Sequence, residues 1–438
     1  MGHLVGKDLY RQLGARIDML TVRAPWNDRL FALLKELYSE SEAELILKMP
    51  LGLSPIERIA RVAKVPVPEL RGPLESLCER GLVFDALLGG RYYYAPSPMV
   101  IGIFEFTMMR TGEGLDRKRW ANLFHDYLAE GSFYRANFGS GQEVSVLRTV
   151  PHDGTVREED CVEVLDYERA TEIVESADRF AMGICSCRHE REHLGERTCG
   201  APLDNCSSFG ATTVDFMVRH GFAREVTKSE MLENLARSRE LGLVLNADNV
   251  QRGVSFMCHC CSCCCNVLRG ITEHGYPNAV VTSSFLAASD VDRCTGCGTC
   301  SKRCPVRAID RVADPALRFR KNGRPRVDES LCIGCGVCTL RCRSGAMKLR
   351  KRARRVLHPE STFERVILQA LERGTLQNQI FDDPGSKSQA FVRGVVGGFL
   401  RLPPVKRALM GDLLRSRFLH AMKAAARRSK GATAGAGG

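Results

Sequence analysis

Apolar residues recur every three or four positions along some stretches of this chain and every second position along others, and the change of period marks its elements. From Ser54, "SPIERIARVAKVPVPELRGPLESLCERGLVFDALLGGRYYYAPS" predicts helix, turn, helix and hairpin. Ser54 is the expected cap of a helix reaching about Lys64, and "VPVP" breaks it. A second helix is expected from about Pro68 to Arg80, closed by Gly81, with "LVFD" and "RYYYA" flanking a Gly89-Gly90 turn. Farther on, "RFAMGIC" and "SFMCHCC" predict buried strands that deliver cysteines to loops, and "CCNVLRGI" predicts the start of a helix. Near the end, "STFERVILQALERG" pairs Ser361 with Glu364 in a capping box and stops at Gly374. It lines up Phe363, Val366, Ile367, Ala370 and Leu371 on one face. "SQAFVRGVVGGFLRL" predicts a further helix softened by its glycines, and Pro404 opens another that mixes leucines with Arg415, Arg417, Lys423, Arg427 and Arg428. The last ten residues, "SKGATAGAGG", are expected to be disordered.

These elements predict a multi-domain α+β chain. Residues 1–110 are expected to form a helical N-terminus and a winged-helix-like domain, and 111–284 an α+β Cys-rich domain. A compact module of two short cysteine motifs follows at 285–352, and a basic helical tail at 353–438. The front pattern resembles the winged helix-turn-helix of bacterial regulators. A DNA reader needs a basic recognition helix. This one offers Glu69, Arg71, Glu75, Glu79 and Arg80, with Pro73 inside it, and Ser54–Tyr94 holds six Lys/Arg against five Asp/Glu. That balance predicts protein docking and speaks against DNA.

The net charge of +12 is uneven: residues 343–438 hold 20 Lys/Arg against 6 Asp/Glu. A basic amphipathic tail of this kind suits an acidic redox partner protein or a peripheral position on an anionic membrane. The opening "MGHLVGKDLYRQLGARIDML" shows no apolar signal region, and no apolar run approaches the roughly 18–20 residues of a span. A cytoplasmic chain with reduced thiols is therefore expected.

Reduced thiols matter here, because 18 of the 20 cysteines lie between residues 185 and 342. "CTGCGTCSKRCP" spaces Cys294, Cys297, Cys300 and Cys304 as C-x2-C-x2-C-x3-C, and "CIGCGVCTLRCR" repeats it with Cys332, Cys335, Cys338 and Cys342. An iron–sulfur cube takes one soft thiolate per iron, and a triplet on one loop can supply three. Gly296, Gly298, Gly334 and Gly336 let that loop curl. In such motifs the fourth cysteine ligates the other cluster. Two [4Fe–4S] clusters are expected: one on Cys294, Cys297, Cys300 and Cys342, the other on Cys332, Cys335, Cys338 and Cys304. Zinc shares the taste for thiolate but favours separated pairs. Between the motifs, "LRFRKNGRPRV" predicts a hairpin around Asn322-Gly323. The span of about 285–352 resembles bacterial two-cluster ferredoxins.

Upstream stand ten more thiols: Cys185, Cys187, Cys199, Cys206, Cys258, Cys260, Cys261, Cys263, Cys264 and Cys265. The two segments that carry them are expected to meet and to hold at least one further centre, iron–sulfur or zinc, on a subset of these thiols. Redox-switch cysteines are the other reading. "HEREH", His189 to His193, matches the H-E-x-x-H zinc-protease pattern. No apolar periodicity supports a buried helix there, so a charged loop is expected. "NFGSGQE" near 137 hints at a phosphate loop but lacks its Lys-Ser/Thr.

Taken together, the front domain, "VIGIFEF", the C-x-C-R…C…C-x-x-FG segment, "SEMLENLARSRELGLV", "CHCCSCCC" and the paired motifs are similar to a family of bacterial iron–sulfur proteins, mostly from anaerobes. His259 and Asn266 depart from its pattern. The resemblance implies [4Fe–4S] binding and electron transfer, and names no substrate. The expected function is a carrier of single electrons; the alternatives are a redox-sensing winged-helix regulator and an iron–sulfur reductase component.

Overall fold

A computed structural model describes residues 2–139, 142–313, 323–353, 356 and 358–434. It is an α+β chain whose helices frame several small sheets. Three helices open it: Gly2–Asp18, Asp28–Leu37 and Glu40–Lys48. The second is capped by Asn27, whose side chain accepts from the Leu30 amide, and the third by a Ser39–Glu42 capping box. Their buried leucines belong to one core that runs from Tyr10 to Val146 and takes in Phe104, Trp120, Phe124 and Tyr127.

Next come a two-residue strand, Ser54–Pro55, helices Ile56–Ala63 and Val67–Glu79, and a hairpin of Val83–Leu88 and Arg91–Pro96. The hairpin and the short strand form a three-stranded antiparallel sheet. Ser54 is not the helix cap expected of it: it pairs with Tyr94 in that sheet, and the helix starts after Pro55 with no side-chain cap. Gly81 sits at a φ of +71°, and a Cβ there would collide with Phe106, so the helix-to-strand corner demands glycine.

A six-stranded antiparallel sheet fills the middle of the chain. Its order is Leu147–Val150, Val244–Asp248, Phe256–Cys260, Asp204–Phe209, Phe180–Ile184 and Ala223–Val226. The predicted "RFAMGIC" and "SFMCHCC" strands are the Phe180–Ile184 and Phe256–Cys260 members, and "CCNVLRGI" opens the helix Asn266–Thr272. The paired cysteine motifs lie on two small sheets, Phe285–Ser289 with Met347–Lys351 and Ile309–Val312 with Arg324–Val327. The strand after Gly323 thus finds its partner at Ile309–Val312; the "LRFRK" run expected opposite it lies outside the described residues, as does Asn322.

At the end, Thr362–Arg373 carries the expected apolar face, with Ile367, Ala370 and Leu371 buried, a Ser361 cap and Gly374 as its stop. The Glu364 carboxylate accepts from the Glu360 amide and so does not close the capping box on Ser361. Lys387–Leu400 follows, then Pro403–Met410 and Asp412–Ala434, which Gly411 separates where one continuous helix was expected. The last helix runs through residues 429–434, which were expected to be disordered, because the alanine-rich turn before them favours continuation. Residues 435–438 lie outside the description. The end segment is tied to the front: Asp382 pairs with Arg58 at 2.6 Å, and Arg373 donates to the Thr21 carbonyl at 2.8 Å.

Candidate metal centres

In the paired motifs each triplet wraps a short helix, Thr299–Arg303 or Val337–Leu340, that starts from a left-handed glycine, Gly298 or Gly336. One hollow is lined by Cys294, Cys297, Cys300 and Cys342, and a second by Cys304, Cys332, Cys335 and Cys338. Each hollow therefore gathers three cysteines of one motif and the fourth of the other. Both fourth sulfurs accept backbone amides: Ala308 donates to Cys304 Sγ at 3.2 Å and Met347 to Cys342 Sγ at 3.3 Å. Such N–H···S bonds are among the levers that set cluster potentials. Gly334, at a φ of +69°, leaves no room for a Cβ against Ser283 and the Phe285 carbonyl.

The two hollows differ in exposure. Cys297 is exposed, whereas Cys332, Cys335 and Cys338 are all buried. Burial pushes the Cys338 thiol up to about 12 and raises Cys335 as well, while Thr299 hydrogen bonds lower Cys297. The buried hollow adjoins the central sheet, with the His152 amide donating to the Cys335 carbonyl.

The upstream thiols come from three adjacent strands and the loops they feed. Cys258 and Cys260 lie two apart on Phe256–Cys260 and so share one face. Cys206 lies on the neighbouring strand, and Cys185 follows the next one as the N-cap of the helix Ser186–His193, which carries Cys187. Cys265 is the N-cap of Asn266–Thr272. Cys206 and Cys260 both raise the thiol pKa of Cys258, and Cys187 lowers that of Cys265 while Cys260 raises it, so these sulfurs act on one another as one patch. Burial pushes Cys185 up to about 12, and the neighbouring Cys258 brings Cys260 down to about 6. Asn246 Nδ2 also donates to Cys260 Sγ at 3.3 Å.

Cys199, Cys261, Cys263 and Cys264 form a separate group whose sulfurs all lie within 4.8 Å of one another. The expectation that the two segments meet therefore holds in space, and the ten thiols divide into six and four.

Arg188 stands between the two groups, and sequence reasoning passed over it. It is fully buried and donates to the carbonyls of Pro202 and His259 and to Asn205 Oδ1. Among the described residues no carboxylate pairs with it; the ionisable groups beside it are the sulfurs of Cys185, Cys261 and Cys260. A buried guanidinium needs an anion nearby, and thiolates are the ones available. The signal in the sequence was the arginine directly after C-x-C.

His259 and Asn266 also have work. His259 points to the opposite face from Cys258 and Cys260, bonded to Ser207 Oγ at 2.8 Å and Ser238 Oγ at 2.7 Å. Asn266 donates to Glu190 at 2.6 Å and thereby joins the helix after Cys185 to the helix after Cys265.

The expected charged loop at "HEREH" is instead a helix, Ser186–His193, with Arg188, His189, Glu190 and Arg191 buried. It forms because Cys185 starts it and the helices Phe104–Met109 and Arg117–Ala129 cover it, a polar burial that apolar periodicity does not register. His189 Nδ1 meets the Met108 carbonyl at 2.6 Å, so it donates there, and Nε2 accepts from His193 Nε2 at 2.9 Å. Glu190 faces Asn266, and no third ligand joins the two histidines among the described residues, which leaves the protease pattern without a site. Cys161 packs against the core that holds Cys260, Cys265 and the buried hollow, its thiol donating to the Val156 carbonyl at 3.8 Å; Cys78 lies by Asp85 and His220, and Arg219 already neutralises that carboxylate. A cavity of about 840 Å³ lies under the C-terminal helices, and no cysteine lines it. In "NFGSGQE", Ser140 and Gly141 lie outside the described residues.

One apolar core contains Cys260 and Cys265 together with Cys332, Cys335 and Cys338, and also holds Val244, Leu268 and Val337. The upstream field and the paired motifs are thus parts of one interior.

Paired four-cysteine motifs around two hollows define an iron–sulfur protein of ferredoxin type. Residues 293–347 match the family model of the 4Fe-4S dicluster domain. Searches of curated proteins and of solved structures gave no match to this chain. No helix is long and apolar enough to cross a membrane among the described residues.

Proposed function

We propose that this protein carries single electrons in a reducing, cytoplasmic setting, through two [4Fe–4S] clusters and a further centre upstream. Cys294, Cys297, Cys300 and Cys342 would hold one cluster; Cys332, Cys335, Cys338 and Cys304 the other. A subset of Cys185, Cys187, Cys206, Cys258, Cys260 and Cys265 would hold the third. Bound clusters supply the reversible one-electron chemistry; the chain fixes their burial, their N–H···S bonds and their partners' access.

The observation that carries this reading is the common core joining Cys260 and Cys265 to Cys332, Cys335 and Cys338. It gives charge a dry route from the exposed Cys297 side to the upstream field. Arg188 supports the same reading, since its buried charge matches anionic sulfur.

We read residues 54–96 as a winged helix used for docking. The outward face of Val67–Glu79 presents Glu69, Arg71 and Glu79, a poor match for phosphates, and Arg219 of the sheet region binds Glu75 and Asp85. The C-terminal helices would rest on an anionic membrane surface. Phe391, Val395, Phe399 and Leu413 stand exposed there among basic residues.

The test is iron and acid-labile sulfide per chain after anaerobic purification, with electron paramagnetic resonance of the reduced protein. About eight irons would confine the clusters to the paired motifs, and about twelve would include the upstream field. Colourless protein with no reducible chromophore would end the proposal.

A further inference from the structure

The group of four, Cys199, Cys261, Cys263 and Cys264, differs in kind from the other thiols. Cys199 lies in the loop that leads into the Asp204–Phe209 strand; the other three lie in the turn between Phe256–Cys260 and Asn266–Thr272. Cys199 Sγ is 3.6 Å from Cys261 Sγ and 3.9 Å from Cys264 Sγ, and Cys263 Sγ is 3.5 Å from Cys264 Sγ. A single tetrahedral ion with metal–sulfur bonds of about 2.3 Å sets its four sulfurs about 3.8 Å apart, because a tetrahedron's edge is about 1.63 times its centre-to-corner distance. A cube spreads its four thiolates over four irons and needs them farther apart. Among the described residues, no three of the paired-motif cysteines, and no three of the six remaining upstream thiols, gather within the 4.8 Å that encloses this group.

Charge fits as well. Four thiolates around a divalent ion leave a net charge of −2, and two guanidiniums stand at the site: Arg188 against Cys261 and Arg197 against Cys199. Arg197 also binds Glu192 and the Ala201 carbonyl, which holds the Cys199 loop in place.

We infer that Cys199, Cys261, Cys263 and Cys264 bind one tetrahedral divalent metal ion, zinc or iron, as a mononuclear centre without sulfide. The ion clasps the Cys199 loop to the turn after Cys260. It thereby fixes Cys260 and Cys265, which flank that turn and face the other thiols. All-sulfur tetrahedral sites suit both metals, and the structure's chemistry is the same for either. The inference rests on the reading that the upstream thiols bind metal, and adds which four hold a lone ion.

The experiment compares the full-length protein with Cys199→Ser and Cys263→Ser, both half-buried positions, purified without oxygen. Zinc, iron and acid-labile sulfide are counted per chain, and X-ray absorption is recorded at the edge of the metal that the variants lose. The expected result is loss of one metal per chain at constant sulfide, with unchanged resonance signals from the reduced clusters. The wild-type absorption should show four sulfur neighbours at about 2.3 Å and no nearby second metal. Loss of zinc identifies a scaffolding ion, and loss of a single iron a redox-active one. Loss of several irons with matching sulfide would overturn the inference in favour of a cube, and unchanged metal content would overturn it outright. Failure of the broader electron-carrier reading shows elsewhere, as missing cluster signals in the wild type.

Discussion

Arg188 shows how a single buried charge reports on its surroundings. Its two terminal nitrogens donate to the Pro202 and His259 carbonyls and Asn205, its Nε finds no hydrogen-bond partner, and the ionisable groups beside it are cysteine sulfurs. Arg188→Gln should lower upstream metal content and destabilise the holoprotein by about 3 kcal/mol in denaturant unfolding, the scale of breaking a buried pair. Unchanged metal would show that its role is packing alone. Glu105, in "VIGIFEF", makes a second residue-scale case. It accepts from the Gly102 amide at 3.0 Å, and burial pushes its carboxyl up to about 7. Between the unfolded value near 4.5 and about 7 the unfolded chain loses a proton that the fold retains, so stability falls as pH rises through that window and stays lower above it. Glu105→Gln should therefore gain on the wild type between pH 5 and pH 8, by at most about 3 kcal/mol. A variant–wild-type difference equal at both pH values would show that the carboxyl ionises freely. Cysteine identities were legible because spacing is a property of the chain itself. Arg188 and Glu105 were not, since their meaning depends on what a distant segment brings against them.

At the scale of elements, strands whose apolar runs end in cysteine were readable, and so were the helices with glycine stops. The helix over "HEREH" was missed because polar groups, not an apolar stripe, bury it: His189 on Met108 and Glu190 on Asn266. Ser54 was misplaced for a related reason, since a pairing with Tyr94, 40 residues on, outcompetes a local cap. The partition of the ten upstream thiols into six and four was likewise invisible, because Cys261 and Cys260 are sequence neighbours whose side chains belong to different groups. The exchange of fourth cysteines between the hollows makes a prediction at this scale. Cys342→Ser should perturb the cluster of Cys294, Cys297 and Cys300 and spare that of its own motif, as read by redox titration with paramagnetic resonance. The reverse pattern would refute the exchanged ligand sets.

Across the whole molecule, one interior joins the paired motifs to the central sheet, and the C-terminal helices fold back on the front through Asp382 and Arg373. The outer side of those helices carries Phe391 at 75% and Phe399 at 57% exposure, on a segment rich in Arg and Lys. Replacing both phenylalanines with serine should cut co-sedimentation with anionic vesicles severalfold, and raised salt should weaken binding by the wild type. Equal binding to neutral vesicles at any salt would leave the basic residues without a part in it. How far these regions share a core could not be read from composition, since each segment alone carries enough apolar residues for its own.

The unequal cover of the two hollows also governs how the protein would age in air. Cys297 is exposed to solvent and so to dissolved dioxygen, whereas Cys335 and Cys338 are buried, with Cys335 bonded to the His152 amide beside the sheet. Bleaching should proceed from the exposed hollow to the buried one, in two separable phases, and the slower phase should track local opening of the fold.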